Sequence, residues 1–342
     1  MKIHTEHTNL LEGYIKGFPS GPLHYIRIPG DLLNDCFPQK DEAVNGPKAD
    51  SKSLNSLEDS GNENDKAQVI ERLENLLLDH LQKIWNRENS SFVMELIGTD
   101  SVNEIIGALF RNKNYDLMDK LKKSLIASAI QRQACIVSHG TDRGVMKYFG
   151  DEILRRRAMR FGMVSIGIVR WDAIDLEGFE LFSSENRPIP MDRFIFDKHR
   201  RVRLNGGYTD FIFCDCENDQ EIDFRIFIMN LISQKLETKK SPKSKAIPVV
   251  IICMGGDSNT ETTLEKYHSI WAQDPSTMMP VILIEGFGGV TDKLAKELRA
   301  SQNDSTEDGD TLVTLLNMHG MVSRLYLKAN FFYLFFCLFR SK

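Results

Sequence analysis

Apolar residues along this chain recur in two patterns, one typical of helices and one typical of strands. Five segments space their apolar side chains three or four positions apart, as in a helix that packs one face on a core. These segments are residues 70–84, 118–129, 145–153, 264–271 and 290–298. Between them lie apolar runs of strand length: SFVMELIG (91–98), ACIVS (134–138), MVSIGIV (163–169), DFIFCD (210–215), IPVVIICMGG (247–256) and PVILIEG (280–286).

The strand runs are continuously apolar and do not alternate with polar residues. A strand with this pattern suits a parallel sheet that is covered by helices on both faces. Because strands and helices follow one another in turn, the chain predicts an α/β fold. We expect a Rossmann-like three-layer sandwich with a mainly parallel, doubly wound sheet.

Two polar stretches divide the chain. Residues 38–66 contain few large apolar side chains and are rich in Ser, Asn, Asp, Glu, Lys and Gly, so burial cannot offset the entropy of ordering them. A second polar break begins with SQNDSTEDGD at residue 301. We therefore predict an N-terminal segment (1–37) that joins the core, a disordered insert (38–66), a Rossmann-like domain (67–300), and an acidic linker with a short hydrophobic tail (301–342).

Composition excludes several classes of protein. With 43 basic and 48 acidic residues, the net charge of −5 argues against nucleic acid as a main partner. Cys135, Cys214 and Cys253 lie within apolar runs, where a free thiol packs as a small hydrophobe and indicates a reducing, cytosolic compartment. Cys214 and Cys216 have no second pair at ligand spacing, and we predict no metal site.

The two termini show no membrane-spanning segment. The start, MKIHTEHTNLLEGYIKG, lacks the apolar core of a secretory signal. Near the end, residues 331–339 form an apolar run of nine residues, whereas a spanning helix needs about 20. This run remains open to three interpretations: an interfacial anchor, the buried end of a longer natural chain, or a gene-model artefact.

The chemistry is expected where strands end, because ligands of open parallel sheets bind beyond the carboxyl ends of the strands. Four of the six strand runs continue into loops that combine glycine with Ser, Thr, Asn or Asp: LIGTDS, SHGTDRG, MGGDSNTET and EGFGGVTD. Glycine permits close backbone approach, and hydroxyls with helix N-terminal N–H groups supply donors for phosphate oxygens. We predict ligand contacts at Gly98, Thr99, Ser138, His139, Gly140, Thr141, Asp142, Gly144, Arg225, Gly255, Gly256, Asp257, Ser258, Asn259, Glu285, Gly286, Gly288, Gly289 and Asp292.

The same residue types also cap helices and form turns in proteins that bind nothing there. GFGGVTD does not match the dinucleotide fingerprint G-x-G-x-x-G, and the chain contains no G-x-x-x-x-G-K-[ST] phosphate loop. The sequence therefore excludes an ordinary dehydrogenase and a P-loop NTPase.

No catalytic pair is evident. Ser138 and His139 are adjacent at a strand end and point to opposite faces, so a nucleophile–base pair between them is not expected. Asp292 suits the first turn of a helix, and only Glu261 remains as a candidate general base.

Arg225 lies within the very apolar helical segment IDFRIFIMNLI, where a charge requires a partner. The basic run RRRAMR (155–160) is interpreted as a solvated face, with a contact to another domain as the alternative.

Six motifs, in this order, resemble one family: GPLHYIRI, ACIVSHGTDRGVMKYFGDEI, VSIGIVRWDAI, LNGGYTDFIFCD, IPVVIICMGGDSNTETTLEKY and PVILIEGFGGVTDKLAKEL. The series is similar to the cytosolic N-terminal homology region of the melastatin (TRPM) subfamily of transient receptor potential cation channels, which carries the SLOG, or LSDAT, domain. The resemblance covers roughly residues 21–300 apart from the polar insert.

The resemblance implies a non-enzymatic module that binds ADP-ribose or a related small nucleotide and helps to gate a calcium-permeable pore. It also implies assembly with other channel subunits as a homo-oligomer, a tetramer in a full-length channel, at the cytoplasmic face of the plasma membrane. Because the sequence stops before any pore helices, the chain is expected to be the soluble cytosolic region alone, present as a fragment, a short isoform or an incomplete gene model.

Three departures from the family pattern concern the ligand site. His139 stands where the family typically has glycine, Phe287 replaces a small residue, and Gly289 replaces an arginine. Two alternatives to nucleotide sensing therefore remain. One is a structural subunit-interaction domain whose ligand site has decayed. The other is a SLOG-type nucleotide N-glycosidase, although Met254 and DSNTET fit that enzyme motif poorly.

Overall fold

Ten strands form one sheet in this computed structural model, which describes residues 11–18, 22–37, 62–88, 90, 92–99, 115–158, 163–175, 180–183, 202–216, 218–236, 247–274, 279–304 and 313–317. The strands are β1 Leu11–Lys16, β2 Leu23–Ile28, β3 Phe92–Gly98, β4 Ala134–Ser138, β5 Ser165–Arg170, β6 Ile174–Asp175, β7 Glu180–Ser183, β8 Val202–Arg203, β9 Asp210–Cys214, β10 Val249–Met254, β11 Val281–Glu285 and β12 Val313–Asn317. The helices are α1 Gly30–Cys36, α2 Asn62–Glu88, α3 Tyr115–Gln131, α4 Gly144–Ala158, α5 Asn218–Lys235, α6 Ser258–Gln273 and α7 Gly289–Asp304.

The strand order across the sheet is β12-β11-β10-β3-β4-β5-β9-β2-β1-β7, and β6 pairs separately with β8. Pairing in the large sheet is parallel except where β1 meets β2 and β7. From β3 the chain proceeds outward through β4 and β5, and it later returns to the other side of β3 with β10. The direction of winding therefore reverses between β3 and β10, which is where open α/β sheets form a crevice.

Helices cover both faces of the sheet. Along β3, Val93 and Ile97 face one apolar core, to which α1, α2, α5, α6 and α7 contribute buried residues. Met94 and Leu96 face the opposite core, which α3 and α4 complete. Apart from Glu95, both sides of β3 are apolar because each face of the strand is buried under helices.

The predicted fold class is confirmed: the chain is α/β, with a large, mostly parallel sheet between two helical layers. The six predicted strand runs correspond to β3, β4, β5, β9, β10 and β11, each within a few residues. The apolar stripes lie inward where the side chains are described; on α4, for example, Val145, Phe149 and Ile153 are fully buried. Strands β1, β2, β7 and β12 lie outside the six predicted runs.

Three of the elements in the structure lie at, across or beyond the predicted domain boundaries. α2 begins at Asn62, inside the segment predicted as a disordered insert, and residues 38–61 of that insert lie outside the described residues. α7 continues to Asp304, past the predicted domain end at 300, and β12 adds a strand from the predicted tail. The apolar run 331–339 lies outside the described residues. Among the residues that are described, none of the helices combines the length and apolarity needed to cross a bilayer.

Candidate functional site

The four glycine-rich loops follow four consecutive strands of the sheet, β11, β10, β3 and β4. All four strands are parallel, so their loops leave from the same edge, on both sides of the crevice between β3 and β10. The structure thus brings the predicted loops together. This edge, from Gly98, Ser138, Met254 and Glu285 outward, is called the carboxyl edge below.

The floor of the crevice is closed by the backbone itself. The N–H of Thr99 donates to the Met254 carbonyl at 3.3 Å, and the N–H of Val145, at the start of α4, donates to the Thr99 carbonyl at 3.0 Å. A phosphate at a helix N-terminus would need such N–H groups free. Here one of the α4 donors already binds a protein carbonyl.

The loop between β4 and α4 is held by a second segment, residues 203–208. The N–H of Asp142 donates to the Arg203 carbonyl at 2.7 Å, and the N–H of Asn205 donates to the Gly140 carbonyl at 2.9 Å. The Asp142 carboxylate accepts from Lys147 Nζ at 2.9 Å and from the Asn205 amide at 3.1 Å. This loop is therefore anchored on both its backbone and its side chains.

Ser138 and Thr141 differ in how their hydroxyls are used. The buried Ser138 hydroxyl forms a short contact with the Tyr208 hydroxyl and accepts the Gly140 N–H at 3.1 Å. Thr141 is 8% exposed, and its Oγ1 has no hydrogen-bond partner among the described residues. Of these two hydroxyls, only that of Thr141 is left for a ligand or a water molecule.

The loops after β10 and β11 bind one another. The N–H groups of Val290 and Thr291, in the first turn of α7, donate to the carbonyls of Gly256 (3.1 Å) and Gly255 (3.0 Å). The Asp292 carboxylate accepts the Gly286 N–H at 2.8 Å. The N-terminus of α7 is thus largely satisfied by the neighbouring loop.

Asp257 has the role of an N-cap. Its Oδ1 accepts the N–H groups of Asn259 at 3.1 Å and Thr260 at 3.2 Å, at the start of α6. Asp257, Ser258 and Asn259 are exposed at the rim of the carboxyl edge. Their side chains are accessible to a ligand, although Asp257 already serves the helix.

Three of the loop glycines, Gly98, Gly140 and Gly289, are required by the protein's own packing. A Cβ at Gly140 would lie 2.6 Å from Gly167 Cα, and one at Gly98 would lie 2.1 Å from the Met254 carbonyl oxygen. A Cβ at Gly289 would lie 2.1 Å from the Gly256 carbonyl oxygen, and its φ is +66°, so the arginine typical of the family could not fit this backbone unchanged. Gly288 (φ +79°) differs, because a Cβ added there would have nothing within 4 Å and would face open space.

A buried charge network lies below the loop after β4. Arg225 of α5 is 1% exposed, and its Nε lies 3.3 Å from Glu95 Oε1 of β3, which is the partner that its apolar surroundings required. Arg225 Nη2 donates to Thr263 Oγ1 at 3.0 Å, and Tyr267 donates to Glu95 Oε2 at 2.7 Å. Burial raises the pKa of the Glu95 carboxyl, and the Arg225 charge and the Tyr267 hydrogen bond oppose that rise. Sequence reasoning missed Glu95, although it is the one charged residue in the run SFVMELIG.

His139 completes this network from the solvent side. Its Nδ1 lies 2.8 Å from Glu221 Oε1, and its Nε2 is in short contact with Arg225 Nη1. Burial acts against ionisation of Glu221, but His139, Arg225 and Arg170 outweigh burial and lower the pKa of this carboxyl. The imidazole that replaces the family's glycine is therefore bound to two side chains of α5.

The remaining candidates have structural partners. Ser138 and His139 do not contact each other's side chains, as expected for adjacent strand residues. Glu261, the candidate general base, lies 2.7 Å from Lys293 on an exposed surface. Arg155 and Arg156 bind Glu152, and Arg157 Nη1 donates to the carbonyls of residues 206–208. Across the described part of the chain, no three His, Cys, Asp or Glu side chains are placed to hold a metal ion.

The predicted ligand residues differ in accessibility. Those that are buried are Gly98, Thr99, Ser138, Gly140, Thr141, Gly144, Arg225, Gly255 and Gly256. Those that are half-buried are His139, Asp142, Glu285, Gly286, Gly288 and Asp292, and those that are exposed are Asp257, Ser258, Asn259 and Gly289. A ligand at the rim of the carboxyl edge could contact the half-buried and the exposed residues directly.

Comparison with known proteins agrees with the fold and the loop series. A family model described as "SLOG in TRPM" matches residues 70–326. The chain is 26% identical over 227 residues to the transient receptor potential cation channel trpm of Drosophila melanogaster, covering 64% of this chain and 10% of that protein. It is 25% identical over 225 residues to a subfamily M member-like 2 channel of Nematostella vectensis, covering 63% of this chain and 13% of that protein.

This chain thus spans about a tenth of the length of these curated relatives. The family match extends over both sides of the crevice and includes all four loops of the carboxyl edge. The chain belongs to the family of SLOG domains found in TRPM channels.

Proposed function

We propose that this chain is a nucleotide-sensing and assembly domain of a TRPM-like calcium-permeable cation channel, acting at the cytoplasmic face of the plasma membrane. The observation that carries the proposal is the meeting of four glycine-rich loops at the reversal point of the sheet, in a domain of the SLOG family. Crevices at this position are the usual ligand sites of open α/β sheets. The ligand class is a small nucleotide of the ADP-ribose type.

Two local features support a ligand at this edge. The Thr141 hydroxyl is buried in the loop after β4 and has no protein partner among the described residues, which is costly unless a ligand or water binds it. Gly288 presents open space in the loop after β11, and Ser258 and Asn259 are exposed at the start of α6. These groups belong to the loops that follow β4, β10 and β11 at the carboxyl edge.

Calorimetric titration of the purified chain with ADP-ribose, cyclic ADP-ribose and AMP tests the sensing role. We expect binding of at least one of them, weakened about tenfold by Thr141→Val, which removes one hydrogen bond of about 1.4 kcal/mol at nearly constant volume. Ser269→Ala is the matched control, because it removes an exposed hydroxyl near the other end of α6 and should leave affinity unchanged. No heat and no thermal shift with any of the three nucleotides would refute nucleotide sensing.

A second function is favoured by the internal hydrogen bonds of the loops. N–H groups of α4 and α7 already bind protein carbonyls, so the protein's own hydrogen bonds hold these loops together. This favours a subunit-interaction domain, in which the helices contact other channel subunits of a homo-oligomer, a tetramer in the full channel. Light scattering of the purified chain over a range of concentrations measures self-association. Self-association together with an absence of nucleotide binding would favour the structural role.

A further inference from the structure

The His139 side chain lies between solvent and the buried Arg225. Side-chain exposure falls from 24% at His139 and 14% at Glu221 to 2% at Arg225 and 0% at Glu95. Arg225 Nε pairs with Glu95 and Nη2 donates to Thr263, so Nη1, which faces His139, is the nitrogen that an anion at this edge would contact. An anion that approaches from the carboxyl edge meets the imidazole first.

The contacts of His139 define its protonation state when it covers Arg225. The Glu221 carboxylate can only accept a hydrogen bond, so Nδ1 of the imidazole carries the proton and donates at 2.8 Å. Arg225 can only donate, and its Nη1 is in short contact with Nε2 and lies 3.2 Å from Nδ1; because Nδ1 carries its proton toward Glu221, Nε2 is the nitrogen that can accept from Arg225. The covering position therefore requires a neutral imidazole with its proton on Nδ1.

Protonation changes this arrangement. A charged imidazole carries a hydrogen on both nitrogens, so Nε2 can no longer accept from Arg225, and two like charges would lie in contact. Glu221 continues to bind Nδ1 and holds the ring on the outer side. The charged groups that interact with His139 are Glu95 on β3 and Glu221 and Arg225 on α5. Around them, Arg170 interacts with Glu221 and Cys216, and Tyr267 interacts with Glu95 and Arg225.

We propose that His139 is an internal gate of the ligand site: when neutral it occupies the anion-binding side of Arg225, and when protonated it releases that side to an anionic group such as the diphosphate of a nucleotide. The identity of the anion rests on the proposed nucleotide-sensing function, whereas the gate itself rests on the His139 contacts. Histidine is suited to this role because its charge changes near physiological pH. A glycine at this position, as is typical of the family, would leave Arg225 uncovered.

Sulfate is the probe for the gate, because it remains a dianion throughout the relevant pH range and its own titration does not contribute. We expect NMR-detected sulfate binding at Arg225 to be about tenfold tighter at pH 6 than at pH 8 in the wild-type chain, a change within the range of a histidine titration. His139→Gly should bind sulfate tightly at both pH values. His139→Gln keeps an acceptor for Arg225 but does not titrate, so it should bind weakly at both.

Two controls test whether sulfate binds at Arg225 and whether His139 has the proposed protonation state. His139→Gly/Arg225→Lys retains a positive charge but loses the planar donors, and it should lose most of the sulfate affinity that His139→Gly gains. The ¹⁵N shifts of His139 at pH 8, assigned by their disappearance in His139→Gln, should report a proton on Nδ1. A proton on Nε2, or equal sulfate affinity of wild-type and His139→Gly chains at pH 8, would overturn the gate.

A titration with ADP-ribose separates the gate from the proposed function. Gated sulfate binding without ADP-ribose binding in any variant would retain the gate and refute nucleotide sensing. ADP-ribose binding that is the same at pH 6 and pH 8 and the same in His139→Gly would retain sensing and refute the gate.

Discussion

The loop between β4 and α4 rests on the protein interior, whereas the loop between β11 and α7 is partly open. Gly140, in the first loop, lies against Gly167 and the Phe211 ring, and His139 beside it joins the buried Arg225–Glu95 pair. Gly288, in the second loop, has a similar left-handed φ but no neighbour within 4 Å of a Cβ position. Glycine is therefore required for different reasons at Gly140 and Gly288, although the two sequence motifs are similar.

The difference shows that a tightly packed turn and a partly open turn can share one sequence signature. At Gly140 the left-handed conformation and the close strand packing both require glycine, whether or not a ligand binds. At Gly288 only the conformation requires it, because the space beside it is open. The same glycine-to-alanine substitution should therefore lower the free energy of unfolding by different amounts in the two loops.

The largest expected effect comes from Arg225→Met, which removes the cation beneath the first loop. Glu95 would remain buried without its ion-pair partner, and we expect the free energy of unfolding to fall by about 3–5 kcal/mol. Chemical denaturation of the purified chain measures this change. Arg203→Met is the matched control, because Arg203 is 67% exposed on its side chain and should change stability by less than about 0.5 kcal/mol.

The double variant Glu95→Leu/Arg225→Met tests the cause. Replacing both members of a buried ion pair with apolar residues is often close to neutral, so the double variant should recover most of the lost stability. If the two substitutions were additive, the Arg225 effect would come from lost packing and not from an unpaired charge.

Gly140→Ala and Gly288→Ala compare the loops directly. Each places alanine in a left-handed conformation, at a cost of about 1–2 kcal/mol. At Gly140 the new methyl group would also overlap Gly167, which adds about 1–3 kcal/mol, whereas at Gly288 it meets open space. Thermal denaturation should therefore rank Gly140→Ala well below Gly288→Ala. Equal losses in the two variants would remove the distinction between the loops.

The strands and layers could be predicted from the sequence because they depend on local pattern. IPVVIICMGG, and SFVMELIG apart from Glu95, are continuously apolar, and they form the adjacent central strands β10 and β3. The N-terminal strands could not be placed in the same way, because β1 (LEGYIK) mixes apolar residues with Glu, Gly, Tyr and Lys and pairs with β2 and β7. β2 is the next element along the chain, but β7 is distant in sequence, and pairing with β7 cannot be inferred from the local pattern.

The loop positions were also predictable, but the use of each side chain was not. A strand that ends in glycine and hydroxyl residues indicates the carboxyl edge of the sheet. That Ser138 would contact Tyr208, or that His139 would lie between Glu221 and Arg225, depends on segments 70 to 90 residues away. An isolated Glu in an apolar strand and an isolated Arg in an apolar helix were the only sequence signals of the buried pair.

The smallest expected effect concerns Glu221, which contributes to the network at neutral pH. Its pKa in the folded chain lies below the ordinary value of 4.5, so its ionised form stabilises the fold above that pH, and the contribution is lost as the pH falls through the folded pKa. Glu221→Gln should therefore lower the free energy of unfolding by about 1 kcal/mol at pH 7 and by much less near pH 3. Denaturation curves of both chains at the two pH values measure the difference. A gap that persists undiminished at pH 3 would mean that Glu221 acts through packing, and that the charge beside His139 does not hold the imidazole in place.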